Sequence, residues 1–286
     1  MTARPAPRSA AARPASRGQR KAALSMYDLP ELQDANDALW AAIVERLRAR
    51  NVFDAPEQLT RDIPAEVLWT DPDLVLAQAC GFPLATRLEG RVRVVATPRY
   101  RARGCDGADY RSAVVVRADS LASSLDELRA SRCAVNDLAS NSGMNLLRAE
   151  IAPLAKGRAF FKSVVITGSH LASAEAVAQN DADVAALDCV TWAHLQRWRP
   201  SLTAGLRVLT WTVRSPGLPL ITSLGTSPSQ LVALRAALDD VASDPDLREV
   251  RRTLLLEGFS LVPAEHYRAA LRLQEIASGL GYPHLA

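Results

Sequence analysis

The sequence predicts an α/β protein built on mostly parallel sheets flanked by helices. Between about Arg117 and Arg207, short apolar runs alternate with helical patterns over short connections, as in a parallel sheet with helices on both faces. Three successive strand ends in that stretch also finish on polar groups. Hydroxyls follow Cys133–Val135, a histidine follows Val164–Thr167, and an aspartate closes Val184–Asp188. In a parallel sheet such ends lie side by side, where open α/β folds bind ligands.

In chain order, Ala23–Tyr27 reads as a first strand ending at Asp28. Positions 34–50 form an amphipathic helix with Leu39, Trp40, Ile43, Val44 and Leu47 on one stripe. Asp71-Pro72 has the form of a capped helix start, so Leu74, Val75, Leu76 and Ala79 are expected on a helix that Gly81 ends. Positions 92–96 and 112–116 read as strands. Helices are expected over 125–129, 143–151, 172–178 and 190–197, between strands at 133–136, 164–167 and 184–188. Positions 208–211 and 218–222 read as further strands, with Pro219 suggesting a strand start or edge. Ser227-Pro228 and Asp244-Pro245 open helices by a cap followed by proline, Gly258-Phe259 breaks to a loop, and Pro263 opens a last helix. The C-terminal helices are expected to pack back on the first part of the chain.

Charge narrows the function classes. The net charge of +3 comes from 34 basic and 31 acidic residues, but Arg4, Arg8, Arg13, Arg17, Arg20 and Lys21 crowd a tail without acids. The remaining body is slightly acidic, which argues against a broad nucleic-acid-binding face. The tail, residues 1–22, is Ala, Arg, Pro and Ser with little to bury and is expected to be disordered. It has the charge of a signal peptide's first region without the apolar region that follows. No apolar run approaches the roughly 18 residues of a membrane span. The four cysteines, Cys80, Cys105, Cys133 and Cys189, form no C-x-x-C pair, so neither a zinc site nor another metal or cofactor is expected.

The stretch Asn136-Asp137-Leu138-Ala139-Ser140-Asn141-Ser142-Gly143-Met144 organises the rest. Two hydroxyls, an amide and a glycine crowd the first turn of a helix, where backbone N–H groups lack partners and the dipole is positive. That is the chemistry of an oxyanion pocket. Ser and Asn are also ordinary N-cap residues.

With Thr167-Gly168-Ser169-His170 and the run Ala182–Asp188, this stretch resembles the phosphate/phosphite/phosphonate-type substrate-binding proteins of ABC transporters. Ser25-Met26-Tyr27-Asp28, Gln78–Pro83 and Ala108–Ser112 fit the same pattern. The resemblance runs from about Ala23 to the C-terminus and implies a two-lobed type II periplasmic-binding-protein fold. Lobe 1 would comprise residues 23–113 plus 208–286, and lobe 2 residues 114–207, with strands 112–116 and 208–211 as the crossings. It implies anion contacts from Ser140, Asn141, Ser142 and Gly143, from His170 on the facing strand end, and from Tyr110 and Tyr27 across the cleft. Asp188 fits the same pocket, where a carboxylate near an anion needs a shared proton or a histidine to orient. It reads equally as the N-cap of the helix through Trp192. Phe82 also fits the cleft wall, and Arg99, Arg101 and Arg103 either attract an anion or are solvated charge.

The resemblance further implies a small oxyanion ligand, permease subunits as partners, a periplasmic location and a monomer. The missing apolar leader leaves a cytoplasmic location as the alternative. In an exported protein Cys80–Cys105 is the expected disulfide; in a cytosolic one all four thiols are free. An enzyme reading would use Cys189 as a nucleophile beside Asp188 and His170. Thiamine-pyrimidine enzymes of related fold rely on a cysteine-rich motif absent here. A ligand sensor on a transcription regulator would need a helix-turn-helix that residues 1–22 cannot supply. A non-catalytic binding protein is the expectation.

Overall fold

The computed structural model describes residues 18–51 and 54–286, so residues 1–17 of the expected tail lie outside the described residues. Strand β1 (Lys21–Ala23) overlaps the expected strand only at Ala23, and Lys21 and Ala22, expected in the disordered tail, pair with the strand Leu74–Gln78 instead. The chain leaves β1 through a 3-10 turn at Ser25–Tyr27 that turns Tyr27 inward. Helix α1 (Gln33–Ala49) buries the predicted stripe of Leu39, Trp40, Ile43, Val44 and Leu47. Each such side chain contributes about 1.5–3 kcal/mol when buried, so the stripe rather than helix propensity holds α1 in place. After the single turn α2 (Ala65–Leu68) comes the first correction: β2 (Leu74–Gln78) is a strand, where a helix was expected. Asp71 does not cap a helix; its carboxylate accepts from the Asp73 N–H at 2.8 Å. All five β2 residues are buried, and a fully buried strand shows no alternation to tell it from a helix. Gly81 then begins α3 (Gly81–Ala85) instead of ending a helix.

Strand β3 (Val92–Tyr100) runs longer than predicted and leads through a loop to β4 (Asp109–Tyr110) and β5 (Ser112–Arg117). The helix expected over 125–129 is a 3-10 turn, Asp126–Leu128. β6 (Arg132–Val135) feeds a wide π turn, Asn141–Asn145, that passes into α4 (Leu146–Ala155). Then follow β7 (Ser163–Ile166), α5 (His170–Ala178), β8 (Val184–Asp188), α6 (Cys189–Trp198), α7 (Pro200–Ala204) and β9 (Leu206–Trp211). β10 (Ser215–Pro216) and β11 (Leu220–Ser223) precede α8 (Pro228–Ser243). A full capping box starts α8: Ser227 Oγ accepts from the Gln230 N–H at 3.2 Å, and Gln230 Oε1 accepts from the Ser227 N–H at 3.0 Å. α9 (Arg248–Thr253) leads to β12 (Leu256–Ser260), a strand where a loop was expected. Gly258, at φ +155°, adjoins a shift in the β12 register, so the glycine marks a bulge rather than a break. The last helix is α10 (Arg268–Gly279).

The strands make two five-stranded sheets. One has the order β1-β2-β11-β3-β12, the other β7-β6-β8-β5-β9. In the first, β11 and β12 run against β1, β2 and β3; in the second, β5 alone opposes the rest. β11 sits in the middle of its sheet, because Pro219 precedes the strand and costs the ladder no donor. α1 and α8 cover the first sheet around a shared apolar core.

The second sheet takes its strands from the stretch Ser112–Trp211, so the two segments expected as crossings, 112–116 and 208–211, pair with each other inside it. The chain crosses instead at β4 and β10, which form a two-stranded antiparallel ribbon with Tyr110 opposite Ser215. The C-terminal helices divide. α8 and α9 pack on the first sheet, but α10 and the chain end cover the second. Ala270, Ala277, Tyr282 and Leu285 join its core, and the Phe160 N–H donates to the Ala286 carbonyl at 2.7 Å.

Candidate functional site

The adjacent ends of β7, β6 and β8 open onto a cleft of about 1240 Å³, its solvent-open mouth included. One wall carries Ser140, Ser142, His170 and Asp188; the other carries the Ser25–Leu32 segment with Tyr27, together with Trp69 and Arg87.

The π turn builds the first wall. Ser140 caps it, its Oγ accepting from the Gly143 N–H at 3.0 Å and lying 3.4 Å from Ser142 Oγ. Ser142 Oγ is in turn 2.9 Å from His170 Nε2, and the Ser112 hydroxyl donates to the Ser142 carbonyl at 2.9 Å. A π turn widens the backbone at this point, a distortion typical of functional sites. Gly143 is required here: a Cβ would stand 1.8 Å from Asn136 Oδ1 and 3.2 Å from His170 Cε1. Burial holds the His170 imidazole neutral by lowering its pKa to about 4.

Tyr110, Asn141 and Gly143 do not line the cleft. Asn141 is fully buried, its amide donating to Tyr110 Oη at 3.0 Å and to Ser215 Oγ at 2.8 Å. Behind it, Asn145 donates to Asn141 Oδ1 at 3.0 Å, and the buried Arg148 donates to Asn145 Oδ1 at 2.5 Å. A guanidinium thus stands at the base of a chain of amides that ends at the ribbon between the sheets.

Asp188 takes the capping role of the two readings open to it, and it also lines the cleft. Its Oδ1 accepts from the N–H groups of Val190 and Thr191 at 2.8 and 3.1 Å, capping α6, while Oδ2 accepts from the Tyr27 hydroxyl at 2.9 Å. Burial pushes the carboxyl up to about 6, against the pull of those hydrogen bonds. The Tyr27 bond joins the two walls directly.

Of the two alternatives for the cysteines, the Cys80–Cys105 pair is not formed. All four are free thiols; Cys80 Sγ accepts from the Asn141 N–H at 3.2 Å, and Cys105 Sγ lies 3.4 Å from Cys189 Sγ instead. Cys189 is buried away from the cleft, and its contact with Cys105, then burial, holds its thiol far above the ordinary range. That is the opposite of an activated nucleophile. Phe82 lies in the core under the second sheet. The Arg99, Arg101 and Arg103 cluster is elsewhere: Arg101 pairs with Glu257 at 2.7 Å and Arg103 stacks over Trp211.

Sequence reasoning missed Arg87, Thr191 and His194. Arg87 reaches the cleft from just beyond α3 and stacks over Trp69 at 5.3 Å. Thr191 and His194 follow Asp188 at three-residue steps on α6, a periodicity visible once the start of α6 is known. Among the described residues, no cluster of His, Cys, Asp or Glu could hold a metal ion, and no helix is long and apolar enough to cross a membrane.

Two α/β sheets with a ligand cleft between them define a two-lobed binding protein. A family model of the periplasmic substrate-binding proteins of phosphonate ABC transporters matches residues 70–267, and the chain belongs to that family. No curated protein matches the chain. Among solved structures, a binding-protein component of an ABC phosphonate transporter from Pseudomonas aeruginosa superposes with a TM-score of 0.72 at 16% identity, covering 91% of this chain and 86% of that one. PhnD1 of Prochlorococcus marinus, in complex with methylphosphonate, gives 0.70 at 15% identity, covering 91% and 97%. A Xanthomonas citri protein bound to chloride gives 0.68 at 21% identity, covering 91% and 95%. These likenesses carry the fold, which is that of periplasmic binding proteins; solute binding rests on the family.

Proposed function

We propose that the protein captures a small phosphorus oxyanion (phosphate, phosphite or a phosphonate) in the cleft and delivers it to the permease subunits of an ABC importer in the periplasm. The observation that carries this reading is the contact of Ser142 Oγ with both Ser140 Oγ and His170 Nε2 at the first turn before α4. Hydroxyls, a neutral imidazole and a positive helix end supply fixed donors that replace an anion's hydration shell without reorganising. Arg148, behind the turn, and Arg87, at the mouth, add positive potential. Tyr27 contributes from the opposite wall, so ligand contacts made by both walls would favour a closed state. Membrane subunits can then read closure as loading.

The test is a thermal-shift series on ligand-stripped protein with phosphate, phosphite, methylphosphonate, sulfate and a thiamine-type pyrimidine. Binding to the native state alone raises Tm by mass action. The reading expects a shift with one or more phosphorus oxyanions. A shift with the pyrimidine and none with any anion would replace this reading with that of an organic-ring-binding protein.

A further inference from the structure

His194 is 1% exposed, lines the cleft, and has no hydrogen-bond partner at either ring nitrogen among the described residues. An orphaned buried imidazole is costly, because the desolvated donor and acceptor are lost to water with nothing in return. It stands one turn of α6 beyond Thr191, another cleft residue that is 8% exposed, and two turns beyond Asp188. Residues at three-residue steps share a helix face. The three therefore form a polar stripe that leaves the anion site and runs about 9 Å along the helix, six residues at roughly 1.5 Å each. Facing the stripe are Leu29, Pro30 and Leu32, with the Tyr27 ring 6.3 Å from the imidazole.

We infer that this stripe is a second subsite, resting on the oxyanion reading above, and that it takes the hydroxylated organic tail of a phosphonate or phosphate ester. The cleft is then built for a substituted ligand rather than the bare anion.

The chemistry of the wall selects the tail. Asp188 already gives Oδ1 to two backbone N–H groups and Oδ2 to the Tyr27 hydroxyl, so it is committed before a ligand arrives. An ammonium would meet no uncommitted carboxylate on this stripe, and Asp28 of the facing segment is already paired with Arg61 at 2.7 Å. A carboxylate would meet no cation on the stripe itself: Arg197, the basic residue in the last turn of α6, is absent from the cleft lining, and Arg87 belongs to the other wall, stacked over Trp69. What remains are the Thr191 hydroxyl and a neutral imidazole, groups that both donate and accept. A hydroxyl complements them without bringing a charge into a desolvated site.

The experiment titrates the full chain, stripped of ligand, with propylphosphonate, 3-hydroxypropylphosphonate and 3-aminopropylphosphonate by calorimetry, and adds glycerol 3-phosphate to separate esters from phosphonates. The native protein is expected to prefer the hydroxypropyl compound over propyl and aminopropyl by about tenfold or more, the worth of one satisfied hydrogen bond. In His194→Phe the preference over propyl is expected to fall toward one. Equal affinity of the native protein for hydroxypropyl and propyl compounds overturns the subsite and leaves the anion site standing. Failure to bind any of the four overturns both. The ligand comparison on native protein needs no variant, so poor folding of His194→Phe would not obscure the answer.

Discussion

The side-chain amide of Asn141 donates to the hydroxyl of Tyr110 at 3.0 Å, tying the π turn before α4 to the ribbon that joins the two sheets. Its second donor goes to Ser215, the residue paired with Tyr110 across that ribbon. A residue expected to touch the ligand is thus a fixed link between the turn and the crossing segments. Asn141→Ala leaves the buried Tyr110, Ser215 and Asn145 groups short of partners. It is expected to cost about 1–3 kcal/mol of stability. Urea unfolding of Asn141→Ala, Tyr110→Phe and the double variant measures the link. Non-additivity of about 0.5 kcal/mol or more supports it, and strict additivity removes it.

Gly143 tests the close packing of the site. In Gly143→Ala the methyl meets Asn136 Oδ1 and the edge of His170, so one of these must move. The expected outcome is a folded protein with anion affinity reduced about tenfold or more, equal to a misplacement worth about 1.4 kcal/mol. Native far-ultraviolet circular dichroism with undiminished affinity would show that the glycine is only conformational.

The pH dependence of stability follows from three groups of opposing sign. His170 and His194 have pKa values near 4 through burial, with Arg197 adding to the effect at His194. Unfolded histidine titrates near 6.5, so the unfolded state binds more protons as pH falls from about 6.5 to 4, and stability is lost in that window. Asp188, raised to about 6, works the other way: its contribution is largest below about 4 and is lost as pH rises through 6. Two histidines outweigh one carboxyl, so Tm is expected to fall between pH 7 and pH 5. Asp188→Asn removes the opposing group and should steepen that fall. A shallower fall in the variant would contradict the assignment.

Asp188 also predicts a pH dependence of binding. An anion arriving beside its buried carboxylate raises the carboxyl's pKa further, so binding takes up a proton. Affinity is expected to strengthen from pH 8 toward about 6, and Asp188→Asn to bind more tightly than the native protein at pH 8 with a flatter profile. Coincident profiles for the two proteins would remove the carboxyl from the site.

The contact between Cys105 and Cys189 gives a redox prediction. Exposed to an oxidant, the protein is expected to join these two sulfurs, while Cys80 and Cys133 stay reduced. Alkylation of unreduced, unfolded protein followed by peptide mass mapping is expected to label Cys80 and Cys133 only. Labelling of Cys189 with protection of Cys80 and Cys105 would restore the pairing expected from the sequence.

Much of this site was legible before any coordinates. Ser140, Ser142, His170 and Asp188 come to one cleft because polar residues at adjacent strand ends share one edge of a sheet; Tyr27 reaches it from the opposite wall, which only the family resemblance suggested. What failed had physical causes. The fully buried β2 carries no alternation, so the Asp71-Pro72 pair that precedes it reads as a helix start. Asn141 looked like a ligand contact because a sequence does not tell which polar side chain in a π turn faces inward. The Cys105–Cys189 contact joins residues 84 positions apart and depends on the loop between β3 and β4, for which no local pattern exists. His194 was silent for a similar reason: its meaning comes from missing partners, which only a packed structure reveals.

The central claim is that Ser142 presents a hydroxyl to a bound phosphorus oxyanion. Calorimetric titration of native protein and Ser142→Ala with methylphosphonate tests it most directly. A hydrogen bond to a charged group is worth about 1.5–3 kcal/mol, so the account predicts a loss of roughly ten- to a hundredfold in affinity. Equal affinity in the two proteins, both folded, would contradict it and place the anion elsewhere.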